Sequence, residues 1–345
     1  MKPTSLPAFL SARRLIAEYI APTPLAPAHL TRLGRSDGLF TKNENLTPIR
    51  SFKVRGALCR LSALSQEERA AGVVTASTGN HGMAVAFAAR KFGTSAVIVV
   101  PERASALKTE GIRRLGAEVR TIGTVMSDAE IAAKAISERE GQVLIVDGDD
   151  LAIMIGAGTV SLEILEALPE AQVLLVPVGS GNLIAGMGSC AKLINPQIEV
   201  IGIQSTASPC VYESLKAARP TFVPSATFAG GLAADHPHDL AFSVLGEVVD
   251  DIVLVAEDEI RRAMALALTE IGQVVEGAGA APLAALAPLA NRLKGKVVVA
   301  VLSGGNVEID ELHDGLLAAR GTIRAEPALP AIGDAEAAVS ATTKN

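Results

Sequence analysis

Short apolar segments alternate with longer amphipathic segments from residue 73 onward, and this alternation limits the possible folds more than any other feature. Each apolar segment is rich in β-branched residues, as is typical of parallel strands buried on both faces. Three of the amphipathic segments end at a glycine suited to cap a helix, namely Gly93, Gly116 and Gly141. The pattern predicts a parallel sheet with helices between its strands. The segments of this first series are 73–77, 95–100, 118–123 and 142–147.

A second series of apolar segments follows at 173–178, 199–204, 251–257 and 296–303. Aromatic residues make up only 3% of the chain and Trp is absent, which favours helices packed closely on sheets over an all-β sandwich. We therefore predict an α/β fold of two open parallel-sheet domains with helices on both faces. The predicted domains are a large one (1–65 and 151–320) and a small one (66–150), followed by a disordered tail (321–345).

Charge, hydropathy and cysteine usage exclude several classes of partner. The net charge is −6 with both signs interspersed, so no basic stripe marks a nucleic-acid surface. The first residues contain no uninterrupted apolar run of the length that a signal peptide or membrane span needs. The cysteines Cys59, Cys190 and Cys210 are far apart and form no CxxC pair. This spacing indicates buried thiols in a reducing cytoplasm.

Ligands of open α/β sheets bind outside the carboxyl ends of the strands, so the loops there are the most informative. In "VGSGNLIAG" (178–186), Gly179 and Gly181 lie between a predicted strand and helix, where backbone amides can bind a phosphate. We also expect Asn182 to support the turn in a left-handed conformation. The alternatives are a tight turn without ligand and a dinucleotide site. The next strand ends at Gln204, not at an acid for a ribose hydroxyl, which favours a single phosphate.

Further candidates follow other predicted strands. The loop "STGNHG" (77–82) can present amides to a carboxylate, or it is an ordinary helix cap formed by Ser77 or Thr78. His81 taken alone indicates a structural hydrogen-bonding residue. Ser303 in "LSGGN" can bond a heterocyclic nitrogen, and Glu276 in "VVEGAGAAP" is either a helix-cap device or a group beside a cofactor.

Lys53 in "PIRSFKVRGA" would be a surface lysine by default. The three strand-end loops change this expectation. A lysine amine, a phosphate loop, a carboxylate-binding loop and a strand-end serine are together the parts that hold pyridoxal phosphate (PLP) as a Schiff base.

Taken together, these motifs resemble the fold type II PLP enzymes, specifically the threonine/serine dehydratase and serine racemase group. The resemblance runs from about residue 18 to 315 with the motifs in the family's order, and "TPL" (23–25), "GAEV" (116–119) and "VDDIVLVAEDEI" (249–260) agree with it. It implies a fold similar to the tryptophan synthase β subunit, PLP as cofactor, a small amino acid as substrate and a homodimer. The large domain would then bind PLP and the small domain the substrate carboxylate.

The resemblance also implies roles for the matching residues. Lys53 would form the Schiff base and later act as the base at the substrate's α-carbon, with Thr78 as a second catalytic candidate. The substrate carboxylate would be held by Ser77, Thr78, Gly79 and His81. The residues implied for cofactor binding are Phe52, Lys53, Asn80, Gly179, Ser180, Gly181, Asn182, Leu183, Glu276 and Ser303.

The implied reaction is the dehydration of an L-3-hydroxy amino acid of the threonine or serine type to a 2-oxo acid and ammonia. The freed Lys53 amine would remove the α-proton, and the cofactor phosphate would assist the departure of the β-hydroxyl. Because a serine at position 303 need not protonate the cofactor ring, elimination is favoured over transamination.

Several positions depart from the family pattern. Ile49-Arg50 replaces the frequent Thr-Gly, so Arg50 either reaches a second substrate carboxylate or bonds only backbone. Thr78 replaces a serine of the racemases, which argues against racemisation. Gln204 and Cys210 replace the acids of a metal-bearing relative, so no metal is expected there.

Gly230 in "FAGGLA" replaces an acid and opens the pocket to a bulkier group. It lies in the segment 205–248, which has several prolines and no clear period and is predicted to be a functional loop or lid.

Alternative functions remain open at this point. They are dehydration of phenylserine or 3-hydroxyaspartate, an amino-acid racemase or β-replacement enzyme on the same cofactor, a catalytically silent PLP- or amino-acid-binding protein, and a nicotinamide dehydrogenase.

Overall fold

The structure contains two β-sheets, each with helices on both faces, as the two series of apolar segments predicted. The structure is a computed structural model and describes residues 4–31 and 38–323. The predicted disordered tail (321–345) lies outside the described residues from 324 onward, and its first three residues are not disordered but end the last helix, Ile309–Ile323. The predicted domain boundaries stay a prediction.

The small sheet contains the four strands of the first series in the order β5-β4-β3-β6, all parallel. Alternate strand residues face opposite sides: Val73 and Ile98 pack toward α2 and α4, whereas Val74 and Val97 pack toward α6. The strands are β3 (Val73–Ala76), β4 (Ala96–Val100), β5 (Glu118–Thr121) and β6 (Val143–Leu144). The helices between them are α4 (Asn80–Phe92), α5 (Ala106–Arg114) and α6 (Met126–Glu140).

Two of the three glycines predicted to cap the helices of this series are C-caps in the structure. Gly93 and Gly141 cap α4 and α6 in the left-handed conformation. Helix α5 ends at Arg114 with Leu115 as its C-cap, so Gly116 lies one residue beyond it, with a φ of 95°.

The large sheet has six strands in the order β1-β2-β10-β7-β8-β9, and only β1 is antiparallel. The second series supplies four of them, and two short N-terminal strands that the sequence did not predict complete the edge. The strands are β1 (Leu25–Pro27), β2 (Leu39–Asn43), β7 (Val173–Pro177), β8 (Glu199–Ser205), β9 (Asp251–Val255) and β10 (Val298–Leu302).

Helices cover both faces of the large sheet. One face, with Leu175 and Ile203, packs against α11 and α12, and the other, with Leu174 and Val301, packs against α7, α8 and α10. The helices are α7 (Leu151–Ala167), α8 (Asn182–Ile194), α9 (Cys210–Ala217), α10 (Asp239–Val248), α11 (Glu257–Leu266), α12 (Gly277–Ala284), α13 (Ala290–Leu293) and α14 (Ile309–Ile323).

Segment 205–248 is not the irregular loop expected from its sequence. It contains α9, a 3-10 turn over Gly230–Leu232, and α10. The prolines, which suggested a loop, lie outside the helices: Pro209 precedes α9, and Pro237 precedes α10 by two residues.

Three helices precede the small sheet: α1 (Leu6–Ala17), α2 (Lys53–Ser62) and α3 (Gln66–Ala71). Helix α2 packs in one hydrophobic cluster with α1, α4 and the small sheet. Its first residue is Lys53, so the packing of α2 fixes the start of the side chain that the motifs singled out. None of the helices in the described ranges is both long and apolar enough to cross a membrane.

Candidate active site

Two adjoining cavities lie where the carboxyl ends of strands from both sheets come together. The large cavity, of about 530 Å³, is lined by residues that follow β3, β6 and β7. The small cavity, of about 50 Å³, is lined by the start of α2 and by residues that follow β7 and β10. The residues that line both are Lys53, Asn80, Gly179, Ser180, Gly231 and Glu276.

The small cavity brings together all of the residues that the sequence implicated in cofactor binding. They come from distant parts of the chain, and β10 and β7 are neighbours in the sheet. The amide of Phe52 donates to the carbonyl of Ser303 at 3.0 Å, which fixes the start of α2 against the end of β10. These residues are Phe52, Lys53, Asn80, Gly179, Ser180, Gly181, Asn182, Leu183, Glu276 and Ser303.

The loop between β7 and α8 has the geometry of an anion site. Gly181 caps α8 with a φ of 102°, a conformation that side chains disfavour, and the amides of the first helical turn point away from the helix. A Cβ at Gly179 would lie 2.8 Å from the carbonyl oxygen of Gly231. The left-handed residue is therefore Gly181, and the prediction that Asn182 supports the turn was wrong, because Asn182 begins the helix.

Asn182 supplies an independent sign that this loop holds a polar group. Its side-chain oxygen and nitrogen are both buried and have no hydrogen-bond partner within the described residues. Buried polar atoms are normally paired, so a ligand at this helix end would satisfy them. A phosphate held by the loop fits this arrangement.

The "STGNHG" loop lies on the opposite wall, between β3 and α4. Ser77, Thr78, Gly79 and His81 all line the large cavity. The Ser77 hydroxyl accepts from the amides of Gly79 at 3.3 Å and Gly82 at 3.0 Å, so it holds the loop rather than facing a ligand alone. The N-cap of α4 is Gly79, so the alternative of an ordinary helix cap formed by Ser77 or Thr78 was wrong, although the Ser77 hydroxyl braces the first turn of the helix.

Glu276 lines both cavities, and although it occupies the N-cap position of α12, its side chain forms no cap hydrogen bond. Its Oε1 accepts from the Asn80 amide at 2.6 Å, and Asn306 donates to the Asn80 oxygen at 2.8 Å. Burial raises the pKa of Glu276 to about 7, against the lowering effects of Lys108 and the Asn80 hydrogen bond. The carboxyl thus forms a link between the two sheets and titrates near neutral pH.

Asp147 is a site residue that the sequence reasoning missed. Its Oδ2 forms an ion pair with the Lys53 amine, and its Oδ1 lies 3.6 Å from Nδ1 of His81. Burial opposes ionisation, but the charge and hydrogen bond of Lys53 outweigh it and hold the pKa of Asp147 well below its usual range. Burial lowers the pKa of His81, which Asp147 offsets only in part. The available signal was its position at the end of the predicted strand 142–147.

His238 and Asp149 were also missed. Nδ1 of His238 lies 3.5 Å from Asp149, whose carboxylate accepts from the amide of Leu240 at 3.1 Å. The His238 ring occupies the space beside Gly148, where a Cβ would overlap the ring. Its own amide donates to the carbonyl of Ser180 at 3.1 Å. These contacts join the end of the small sheet to the phosphate loop.

The departures from the family pattern take definite positions. Arg50 is exposed with a φ of 55°, and it lines neither cavity, while its carbonyl accepts from Gly305 at 2.9 Å. Gly230 lines the large cavity, and nothing lies within 4 Å of a Cβ built there. The Gln204 amide donates to the carbonyl of Gly179 at 3.2 Å and lies 3.7 Å from the sulfur of Cys210. Across residues 4–31 and 38–323, no group of three His, Cys, Asp or Glu could hold a metal ion.

This arrangement is typical of enzymes that bind a phosphorylated cofactor between two β-sheets, next to a lysine amine. Comparison with known proteins makes this specific. Residues 16–304 match the family model described as pyridoxal-phosphate dependent enzyme, and the chain belongs to this family.

Named relatives agree with the family match. An L-threonine ammonia-lyase of Thermotoga maritima is 40% identical over 302 residues, which cover 87% of this chain and 75% of the relative. The processed form of threonine deaminase isoform 2 from Solanum lycopersicum matches with a TM-score of 0.86 and 31% identity, over 91% of this chain and 93% of that chain. Maize serine racemase matches with a TM-score of 0.84 and 32% identity, over 91% and 97%.

Proposed function

We propose that this chain is a PLP-dependent ammonia-lyase that converts an L-3-hydroxy amino acid of the threonine and serine type to a 2-oxo acid and ammonia. The observation that carries the proposal is that the Lys53 amine, the glycine-containing turn after β7 and the "STGNHG" loop line two adjoining cavities. The family and the names of the relatives support the same reaction class.

The residues of the small cavity fit PLP. The amides after β7 and the unpaired Asn182 side chain suit its phosphate, and Lys53 would supply the amine for its aldehyde. Asn80 and Ser303 line the same cavity and would bond the ring substituents, with Ser303 as a neutral partner for the ring nitrogen. When bound, PLP supplies an electron sink for negative charge at the substrate's α-carbon.

The chain's own groups position the substrate and move the proton. The amides of the "STGNHG" loop would hold the substrate carboxylate against the wall of the large cavity, with Ser77 bracing the loop. Lys53 begins α2, whose apolar residues pack into the core, and it lines both cavities, so its amine would act there as the base that removes the α-proton. The loss of the β-hydroxyl as water then leads to a product that hydrolyses to the 2-oxo acid and ammonia.

The direct test is 2-oxo acid release by the purified, PLP-loaded enzyme from L-threonine, L-serine, L-threo-3-hydroxyaspartate and L-threo-phenylserine. We expect release from at least one of the four. Lys53→Ala should lower turnover by roughly 1,000-fold or more, because both the covalent partner and the base are lost. Lys216→Ala is the matched control, since Lys216 is exposed on α9 and should keep full activity. Full activity of Lys53→Ala would refute the mechanism.

Racemisation is the second candidate, and Thr78 is the residue that decides it. Thr78 lines the large cavity and keeps a hydroxyl beside the carboxylate-binding loop, and one structural relative is a serine racemase. Chiral analysis of L-serine reactions would detect the D-enantiomer. We expect elimination to dominate, with Thr78→Ala reducing any D-serine formed.

We further propose that the enzyme is a cytoplasmic homodimer. Leu46 and Val274 are 53% and 42% exposed and lie on adjoining segments, because the Asn45 amide bonds the carbonyl of Val274 at 3.2 Å. Exposed apolar side chains on adjoining segments would be covered by a second copy of the chain. Light scattering during size-exclusion chromatography would give the mass, and that of one chain would refute the dimer.

A further inference from the structure

The carboxylate of Asp147 has a position that the proposed mechanism does not use. It lies in the large cavity beside the reacting amine, and its side chain is 32% exposed toward that space. Its Oδ1 is nevertheless buried and accepts no hydrogen bond from any described residue. Asp147 is thus a charged acceptor in the large cavity, with Oδ1 buried near His81 and Oδ2 paired with the amine of Lys53.

The other titratable groups on the wall of the large cavity do not neutralise the negative charge of Asp147. Lys108 interacts with Glu276, His236 lies 2.5 Å from Asp235, and His238 lies against Asp149. Burial lowers the pKa of both His81 and His238, which favours their neutral forms. The strong cationic partner of Asp147 is therefore Lys53 alone among the described residues.

The Lys53 amine cannot react with the cofactor and also keep its ion pair with Asp147 unchanged. When the amine is committed to PLP, the carboxylate must find a donor elsewhere, since an ionised group in a partly buried site is costly without one. Because Asp147 lines the large cavity beside Lys53, a donor on the side chain of a bound amino acid can take the place of the lysine amine.

We propose that Asp147 determines the substrate class: it accepts a hydrogen bond from a donor on the substrate's third or fourth carbon and excludes a second carboxylate. This deepens the proposed function and rests on it. Among the alternatives that the sequence left open, it disfavours 3-hydroxyaspartate, because the second carboxylate of that substrate would repel the like charge of Asp147. The open wall at Gly230 leaves room for the substituent.

The test compares L-asparagine with L-aspartate, which have nearly the same shape and differ in charge. Neither has a 3-hydroxyl to eliminate, so binding to the holoenzyme can be followed at equilibrium by the change in visible absorbance of the cofactor. We expect the wild-type enzyme to bind asparagine about tenfold or more tightly than aspartate. In Asp147→Asn the two dissociation constants should come within about threefold of each other.

Glu130→Gln is the matched control, because Glu130 is an exposed acid that lines the same cavity from α6. It should keep the wild-type preference. The proposal is overturned if the wild-type enzyme binds aspartate as tightly as it binds asparagine, or if Asp147→Asn keeps the wild-type ratio of the two dissociation constants. It is also overturned if Glu130→Gln reduces that ratio as much as Asp147→Asn does. If Asp147→Asn does not fold, Asp147→Ser removes the same charge with a smaller side chain.

The two proposals fail separately. If no 3-hydroxy amino acid releases a 2-oxo acid, the ammonia-lyase function is wrong, while the ratio of the two dissociation constants still decides whether Asp147 selects by charge. If threonine is dehydrated and the ratio contradicts the expectation, only the role of Asp147 is wrong.

Discussion

Arg55, two residues after Lys53, is completely buried and forms the centre of an ionic cluster under the active site. Its guanidinium bonds both Glu44, at 2.8 Å, and Glu163, at 2.7 and 2.8 Å, and Glu163 also accepts from Lys42 at 2.6 Å. Burial opposes the charge on Arg55, but the two carboxylates outweigh it and raise the pKa of the guanidinium. The cluster ties α2, and with it Lys53, to β2 and α7.

Arg55→Ala should lower the free energy of unfolding by about 3–5 kcal/mol, because two buried carboxylates lose their main partner. Arg60→Ala, on the same helix, removes a partly exposed pair with Asp150 and should cost less than about 1 kcal/mol. Urea unfolding followed by circular dichroism measures both. Equal losses of unfolding free energy in the two variants would show that the buried ionic cluster stabilises the fold no more than the partly exposed pair of Arg60 and Asp150 does.

Glu276 gives the stability of the cofactor-free enzyme a pH dependence with a defined sign. Its pKa is raised from 4.5 to about 7 in the folded chain, so the folded state holds the proton more tightly than the unfolded state between those values. The stability from this group is present below about pH 4.5 and is lost as pH rises through 7. Glu276→Gln should therefore gain stability relative to wild type between pH 5 and pH 8, measured as the difference in free energies of unfolding. A difference that does not change with pH would contradict the shifted pKa.

Individual residues were predictable where a motif placed them at a strand end. Lys53, Asn80, Ser303 and the phosphate loop do line one cavity, although their roles stay predictions. Asp147 and His238 were not found, because an acid after a strand and a histidine in a proline-containing segment are ordinary sequence features. Their significance depends on the three-dimensional contacts with Lys53 and Gly148, which no local pattern contains.

At the scale of elements, the turn from β7 into α8 depends on glycine. Gly181→Ala forces a side chain into a φ of 102°, a conformation that costs roughly 1–2 kcal/mol, and it disturbs the amides that face the phosphate. We expect PLP to bind about tenfold or more weakly, measured by equilibrium dialysis.

Gly246→Ala is the control for this substitution. Gly246 lies within α10, and a Cβ there meets nothing within 4 Å, so alanine should stabilise the helix by about 0.5–1 kcal/mol and leave PLP affinity unchanged. If Gly181→Ala binds PLP as tightly as Gly246→Ala, the phosphate loop has been assigned to the wrong segment.

The buried central strands were predicted within a few residues, because a short, continuous run of β-branched apolar residues is characteristic of a strand covered on both faces. Strands β1 and β2 were missed because β2 contains Thr41, Lys42 and Asn43, which are buried although polar. Lys42 can lie inside only because Glu163 and the carbonyl of Thr23 satisfy it. The polar residues of β2 therefore gave no sign of a buried strand. The ion pair that allows Lys42 to be buried is formed with Glu163 of α7, 121 residues away in the sequence.

At the scale of the whole molecule, the cysteines report on the integrity of the fold. Cys59, Cys190 and Cys210 are free and buried, as their spacing predicted. Burial raises the pKa of their thiols to about 12, 12 and 11. The native enzyme should therefore react with far fewer than three equivalents of Ellman's reagent at pH 8, and all three thiols should react in denaturant. Rapid reaction of all three in the native state would contradict this packing.

The order β1-β2-β10-β7-β8-β9 places the last strand of the chain between strands formed far earlier. A ribosome releases β2 and β7 long before β10, so the middle of the large sheet remains open until β10 has been synthesised. Ser303, which follows β10, joins Lys53 and the turn after β7 only at that point. A nascent chain that stops short of residue 298 cannot close the sheet or complete the small cavity. Cofactor capture is therefore confined to molecules that include β10 and Ser303, and translation products that stop before residue 298 should not retain PLP.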